Sequence, residues 1–189
     1  MFVQLRFQPA PAAPEDAFQL LLDCHGRIRD FSQLALRLAR DVESPPRERS
    51  EAARRLERYF TEALPRHVAD EDLSLAPRLL RAGLSPRGLE ALHEMSRQHV
   101  DIERLLARLL PTWNALATAP ELGPELAAEL RQDSMRLAAL LESHLLLEEQ
   151  ALLPEARSLL SPEDARAVRA EMRARRAPKA EPRGDEGGR

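Results

Sequence analysis

The chain has 189 residues, enough for one domain with its own hydrophobic core, and only 4% of them are aromatic. Leu, Ala, Arg and Glu dominate the composition, which is typical of an all-helical domain. A formal net charge of −3 gives no long-range attraction toward nucleic acid or anionic membrane. No window approaches the about 18 uninterrupted apolar residues that a spanning helix needs. We therefore expect a soluble protein that binds neither nucleic acid nor membrane.

The first residues and the single cysteine indicate in which cellular compartment the protein is expected. Residues 1–6 lack the charged and apolar regions of a secretion signal, and one cysteine cannot form an internal disulfide. A reducing cytoplasm is therefore the expected location. Cys24 itself is interpreted as a small buried hydrophobe. Residues 1–14 contain three prolines and are predicted to form an irregular leader.

Four amphipathic helices are predicted within residues 15–160, because apolar residues recur there at three- and four-residue steps. The first helix spans about 15–42. The others begin after Pro46, at Ser85-Pro86 and after Gly123-Pro124, where caps, prolines and glycines mark helix starts. Pro65 in the second helix and Pro154 in the fourth are expected to bend these helices.

One histidine lies on the apolar face of each predicted helix: His25, His67, His99 and His144. Antiparallel helices joined by short turns bring residues to one level only if those residues are equally far from the turn. The midpoints between successive histidines fall at Pro46, at Gly83 and within residues 120–124, which are all turn-forming sequences. The spacing therefore predicts an all-α, antiparallel up-down four-helix bundle in which the four histidines meet.

Three of the histidines are followed four residues later by a glutamate: Glu71, Glu103 and Glu148. Positions i and i+4 share a helix face, so each pair aims an imidazole and a carboxylate at the same point. Carboxylates that face a core are costly to ionise unless a positive charge compensates them, and no Lys or Arg lies on these faces. Two divalent cations and a bridging hydroxide would bring the site close to neutrality. The pattern predicts a dinuclear metal site with seven protein ligands, in which Glu149 is the alternative to Glu148.

The ligand types narrow the choice of metal. Mixed imidazole and carboxylate ligands suit iron, manganese or zinc, and the lack of a cysteine cluster argues against an iron–sulfur centre or structural zinc. We expect two non-haem iron ions with an oxo or hydroxo bridge, with manganese or zinc as alternatives. Seven ligands and one bridging oxygen leave an open position for dioxygen or a similar small ligand. This favours a protein that binds, senses or stores dioxygen or iron over an enzyme.

The carboxyl-terminal part is predicted to contain a short fifth helix over residues 161–176, because Ser161-Pro162 supplies a cap and a proline at the first helical position. Residues 177–189 have nothing to bury and are expected to be disordered. Five arginines of this helix could dock an acidic protein partner: Arg166, Arg169, Arg173, Arg175 and Arg176. Acidic residues are interspersed among them, so a solvated face is the favoured interpretation.

The second and fourth helices each continue, after the His-x-x-x-Glu phrase, with an acidic residue, apolar positions and a proline at Pro77 or Pro154. Together with His25 upstream, this pattern resembles the hemerythrin-like (HHE) cation-binding family over about residues 18–160. The resemblance implies a non-haem di-iron four-helix bundle. It also implies that the four histidines are terminal ligands and that Glu71 and Glu148 are bridging carboxylates.

The third helix departs from one branch of that family. Oxygen-carrying hemerythrins place a second histidine where this chain has Glu103. The resemblance therefore implies a more carboxylate-rich site and favours sensing of oxygen, redox state or iron over reversible oxygen carriage.

Two alternatives stay open. An iron donor for the repair of iron–sulfur clusters would share the bundle, although such proteins usually add a cysteine-bearing amino-terminal module. A metal-free helical scaffold would act through the basic fifth helix. A ferritin-like oxidase is disfavoured, because it would need two Glu-x-x-His phrases and the predicted helices contain only Glu90-Ala-Leu-His93.

Overall fold

A computed structural model describes residues 16–41 and 43–177. The predicted leader (residues 1–14) lies outside these residues, as does the predicted tail from residue 178 onward. The described part of the chain contains helices and no strand. The α-helices are α1 (Ala17–Arg40), α2 (Pro46–Arg58), α3 (Leu64–Ala69), α4 (Ala76–Ala82), α5 (Pro86–Thr118), α6 (Gly123–Leu147), α7 (Leu153–Leu159) and α8 (Pro162–Arg176).

Three π-helical segments join some of these helices end to end, so that the bundle consists of four long rods. The segments are Tyr59–Ala63, Asp70–Leu75 and Glu148–Leu152. The first rod is α1, the second is residues 46–82, the third is α5 and the fourth is residues 123–159. The second rod packs against the third, the third against the fourth, and the fourth against the first, while α8 lies on α1 and on the second rod. This confirms the predicted all-α four-helix bundle with a fifth helix.

Helix ends follow the predicted signals. The Ser85 side chain accepts a hydrogen bond from the Gly88 N–H at 3.0 Å, and the Ser161 side chain accepts one from the Asp164 N–H at 3.1 Å. Gly83 ends α4 with a φ of 84°, a left-handed conformation that a Cβ disfavours. The turns between the rods therefore lie where the spacing of the histidines predicted them.

Each π-helical segment ends two residues before a proline: Pro65, Pro77 or Pro154. Proline removes one backbone donor and crowds the preceding turn, and the extra residue of a π turn gives the chain room to continue as a helix. The rods therefore continue as helices through Pro65 and Pro154, and the bend expected at each proline stays a prediction. The segments were not predicted, yet a proline six residues after Tyr59, Glu71 and Glu148 is a signal that the sequence carries.

The hydrophobic core is divided into two clusters along the rods. One cluster includes Ile28, Leu56, Phe60 and Trp113, and the other includes Leu21, Leu79, Leu92, Met95 and Leu152. On the first three rods the histidine lies between the buried residues of one cluster and those of the other, and on the fourth His144 lies at the end of the first cluster, beside Leu145. The described helices include none that is long and apolar enough to cross a membrane. The fold therefore places a polar layer, at the level of the four histidines, between two apolar layers.

We expect Gly83→Ala to lower the free energy of unfolding by about 1 kcal/mol, because a Cβ would be held in the left-handed region. Gly26→Ala is the control, since an added Cβ there meets nothing within 4 Å and the residue lies inside α1. It should be neutral or stabilising by up to about 1 kcal/mol. Urea unfolding followed by circular dichroism measures both, and equal effects would contradict the role of Gly83.

Candidate metal centre

Six of the seven residues predicted as ligands come together between the two apolar clusters. His25 is on α1, His67 on α3, His99 on α5 and His144 on α6, while Glu71 and Glu148 lie in π-helical segments. All six are buried. The four rods therefore each contribute an imidazole to one layer, and the second and fourth rods also contribute a carboxylate.

Each carboxylate lies between two imidazoles. Glu71 Oε1 is 2.8 Å from His67 Nε2, and Glu71 Oε2 is 3.2 Å from His99 Nε2. On the other side, Glu148 Oε2 is 3.0 Å from His25 Nε2, and Glu148 Oε1 is 2.9 Å from His144 Nε2. Each glutamate thus links the histidine of its own rod to the histidine of a neighbouring rod.

The six residues form two overlapping groups that could each hold a metal ion. One group is His25, His67, Glu71 and Glu148, and the other is Glu71, His99, His144 and Glu148. Within each group the potential ligand atoms lie within 4.8 Å of one another. The two glutamates belong to both groups, while each group has its own two histidines.

Unsatisfied polar atoms show that this donor set fits metal cations. Six atoms facing the cluster are buried and make only the close N–O contacts described above, with no aligned hydrogen bond: His25 Nε2, His67 Nε2, His99 Nε2, Glu71 Oε1, Glu71 Oε2 and Glu148 Oε1. Such atoms are rare because each costs about 1–3 kcal/mol when left unpaired. Imidazole nitrogen and carboxylate oxygen are ligands for iron, manganese and zinc, so cations in the cluster would satisfy all six atoms.

The outer nitrogens of two histidines have hydrogen-bond partners that orient the rings, and the outer nitrogen of a third lies beside a carboxylate. His25 Nδ1 donates to Glu149 Oε1 at 2.8 Å, and Arg29 holds the same carboxylate. His144 Nδ1 lies 3.2 Å from Gln98 Oε1, and His99 Nδ1 lies 3.2 Å from Asp72 Oδ1. Outer partners of this kind fix the ring and direct the other nitrogen to a metal. Sequence reasoning missed Gln98, Asp72 and Arg29, and it considered Glu149 only as a competitor of Glu148.

Glu103 requires a correction, because the structure does not bring it to the cluster. It is exposed and belongs to neither group. The buried face of α5 passes from Met95 through His99 to Ile102 and Leu106. Since His99 is already at the edge of that face, a further step of four residues turns Glu103 away from the core.

Electrostatics tie the buried acids and imidazoles together in the metal-free protein. Burial by itself would raise the pKa of Glu71, but the charge of His67 and the hydrogen bonds of His67 and His99 hold that pKa well below its usual range. Burial would likewise lower the pKa of His99, yet Asp72 and Glu71 outweigh it and raise the pKa to about 9. Without metal, Glu71 therefore forms buried ion pairs with His67 and His99, and cations must displace protons from them.

Cys24 lies in more polar surroundings than a buried hydrophobe would. Its Sγ accepts hydrogen bonds from Arg27 Nη2 at 3.1 Å and from Arg176 Nη2 at 3.6 Å. Burial would raise the pKa of this thiol, but His67 and the two arginines lower it to about 7. The interpretation of Cys24 as a simple hydrophobe is therefore incomplete.

Helix α8 is anchored beside the cluster through Asp70, the neighbour of Glu71. Asp70 is fully buried, and it accepts hydrogen bonds from Arg175 Nη1 at 2.8 Å and Arg176 Nη2 at 2.6 Å. Arg175 also donates to Ser74 Oγ at 2.7 Å. Two of the five arginines predicted to form a solvated face thus hold the helix against the second rod.

Comparison with protein families gives one match. The model described as the Hemerythrin HHE cation binding domain matches residues 16–156, which contain all six clustered residues. A comparison with curated proteins finds no match to the chain.

We expect the stability of the metal-free protein to fall with rising pH. The pKa of His99 is about 9 in the folded state against 6.5 for the free side chain, so its contribution is complete below pH 6.5 and is lost as pH rises through about 9. The loss should be at most about 3 kcal/mol. Urea unfolding at pH 6 to 10 measures it, and His99→Gln should make the fall less steep, while the raised pKa values of His25 and His67 keep part of it. His93→Gln removes an exposed histidine of the same helix and should leave the curve unchanged. Equal slopes in wild type and His99→Gln would contradict the assignment.

Proposed function

Because this chain belongs to the hemerythrin HHE cation-binding family, we propose that its cluster of four histidines and two glutamates binds two iron ions. The observation that carries the proposal is the pair of overlapping groups that share Glu71 and Glu148. Each group has two histidines of its own, and the two groups share both carboxylates, an arrangement that suits two neighbouring metal ions. The carboxylates would bridge the ions, as each already links two imidazoles.

The balance of charge favours an anionic oxo or hydroxo bridge at this centre, and the count of ligands favours a further small ligand. With Glu103 outside the cluster, two carboxylates face the four positive charges of two divalent cations. Six protein ligands also leave coordination positions free on two ions. Manganese or zinc would be accepted by the same nitrogen and oxygen donors, and iron is the metal that we propose.

We propose dioxygen or a similar small molecule as that ligand. A cavity of about 850 Å³ between the second rod and α5 leads to His99, the most exposed of the four histidines. Its walls are largely apolar and include Phe60, Leu64, Ile102 and Leu106. An apolar route admits a small uncharged molecule while it keeps bulk water from the buried carboxylates.

Bound iron would supply a change of oxidation state and an affinity for dioxygen. We therefore propose that the protein binds, senses or stores dioxygen or iron, and that it is a binding or sensing protein rather than an enzyme. Cys24 is a free thiol, which is compatible with the reducing cytoplasm that we propose as its compartment.

We expect Glu71→Gln and Glu148→Gln to lose at least one equivalent of iron each, because each carboxylate belongs to both groups. Glu103→Gln is the matched control and should retain two equivalents, since this glutamate is exposed and outside the cluster. Anaerobic loading with ferrous iron, desalting and elemental analysis measure the content. Unchanged stoichiometry in both cluster variants would remove these glutamates from the metal site.

Admission of oxygen to the ferrous protein distinguishes the possible outputs. Visible absorption bands that appear with oxygen and disappear under argon would indicate reversible binding. Conversion to a stable ferric spectrum would indicate sensing or oxidation. A protein that takes up no metal, and whose melting temperature is unchanged in a His67→Ala, His144→Ala double variant, would be a scaffold, and the proposal would be wrong.

A further inference from the structure

A second cavity, of about 350 Å³, lies on the other side of the second rod, between this rod and α1. The last turn of α8 contributes Arg176 to its wall. The volume is within the range of about 300–1,000 Å³ that is usual for pockets that bind small molecules. His67 also lines this cavity, so it lies directly behind the candidate metal centre.

The cavity gathers positive charge in a chain that is acidic as a whole. Five arginines line it and only one carboxylate, that of Glu62, does so. They come from three elements: Arg27 from α1, Arg55, Arg58 and Arg66 from the second rod, and Arg176 from α8. The net charge of the whole chain is −3, so this concentration is local.

Three of these guanidinium groups have no partner in the described part of the chain. Arg55, Arg58 and Arg66 are exposed, and no carboxylate of the described residues lies within the 4.0 Å of an ion pair. Like charges placed together repel each other, and the repulsion is relieved when an anion binds between them. In contrast, Arg29 and Arg78, on the same two rods, are fully paired with glutamates.

Tyr59 adds a hydrogen-bond donor to the wall. Its side chain is only 9% exposed and lines the cavity, and its hydroxyl has no hydrogen-bond partner among the described residues. Burial raises the pKa of Tyr59, so the phenol keeps its proton and can donate it to an anion. The Phe31 ring stacks on Tyr59 with the centroids 3.8 Å apart, which makes this wall flat and apolar below the hydroxyl.

We propose that this cavity is a binding site for a small phosphorylated ligand, held by Arg55, Arg58 and Arg66 together with the Tyr59 hydroxyl. Arginine matches the oxygens of a phosphate group with paired donors. A carboxylate is planar and offers two oxygens, whereas a phosphate group offers oxygens in several directions. Three unpaired guanidinium groups therefore suit the charge and the oxygens of a phosphate group better, and Arg27 and Arg176 add positive charge from α1 and α8. The stacked rings leave room for an organic part of the ligand.

The test uses the full chain without metal, freed of chelator, so that phosphate has no metal ion to bind. Isothermal titration with inorganic phosphate, phenyl phosphate and acetate compares the three chemistries. We expect both phosphates to bind more tightly than acetate. Tighter binding of phenyl phosphate would identify a phosphate ester as the ligand class, and equal binding would identify the free ion. No binding of either phosphate at millimolar concentration would overturn the proposal.

Charge-matched variants separate this site from a general attraction of anions. The double variant Arg55→Gln, Arg58→Gln should weaken phosphate binding by about tenfold or more, the effect of losing about 1.4 kcal/mol of interaction. The double variant Arg47→Gln, Arg81→Gln removes the same charge from exposed positions of the same rod that lie outside the cavity and should change binding little. Tyr59→Phe should weaken binding while it keeps the stacking. Equal losses in the two double variants would overturn the proposal. Because the metal is absent throughout, the result is independent of whether the cluster binds iron.

Discussion

Two buried carboxylates, each held between two imidazoles, are the interaction on which the rest of this bundle depends. Glu71 is 1% exposed and Glu148 is 2% exposed, and an ionised carboxylate at such depth costs several kcal/mol unless it is compensated. The compensating groups come from all four rods, so the rods must share one register. A shift of any rod by one turn, about 5.4 Å, would separate a carboxylate from an imidazole. The apolar clusters above and below hold that register and keep water from the polar layer.

Hydrogen bonds from surrounding residues hold the polar layer on more than one side. Glu149 and Arg29 orient His25 on one face, while Asp70 fastens α8 to the second rod one residue before Glu71. Arg176 contacts both Asp70 and Cys24, and it also lines the arginine-rich cavity behind His67. The fifth helix is therefore part of the surroundings of the cluster and not only an appendage of the bundle.

Much of this architecture could be predicted from the sequence, and the exceptions have physical reasons. Equal distances from turns placed the four histidines at one level, because proline and glycine mark turns without reference to tertiary contacts. The prediction that Glu103 is a ligand failed because residues i and i+4 share a helix face only approximately. His99 already lies at the edge of the buried face of α5, so Glu103 lies beyond it. The arginine-rich cavity escaped notice because its residues are far apart in the sequence, from Arg27 to Arg176, and no local pattern joins them.

The π-helical segments each accommodate one extra residue in the second and fourth rods. A π turn is an α-helix with one residue inserted, and one residue corresponds to about 100° of rotation. Removal of a single residue from Asp70–Leu75 or Glu148–Leu152 would restore a regular helix. Because the π turn absorbs that rotation locally, the side chains beyond it, Leu79 or Ala156 among them, would keep their places in the core. The effect of such a shortening would therefore fall on the carboxylate that the π turn itself carries, Glu71 or Glu148, and not on the packing of the helix that follows.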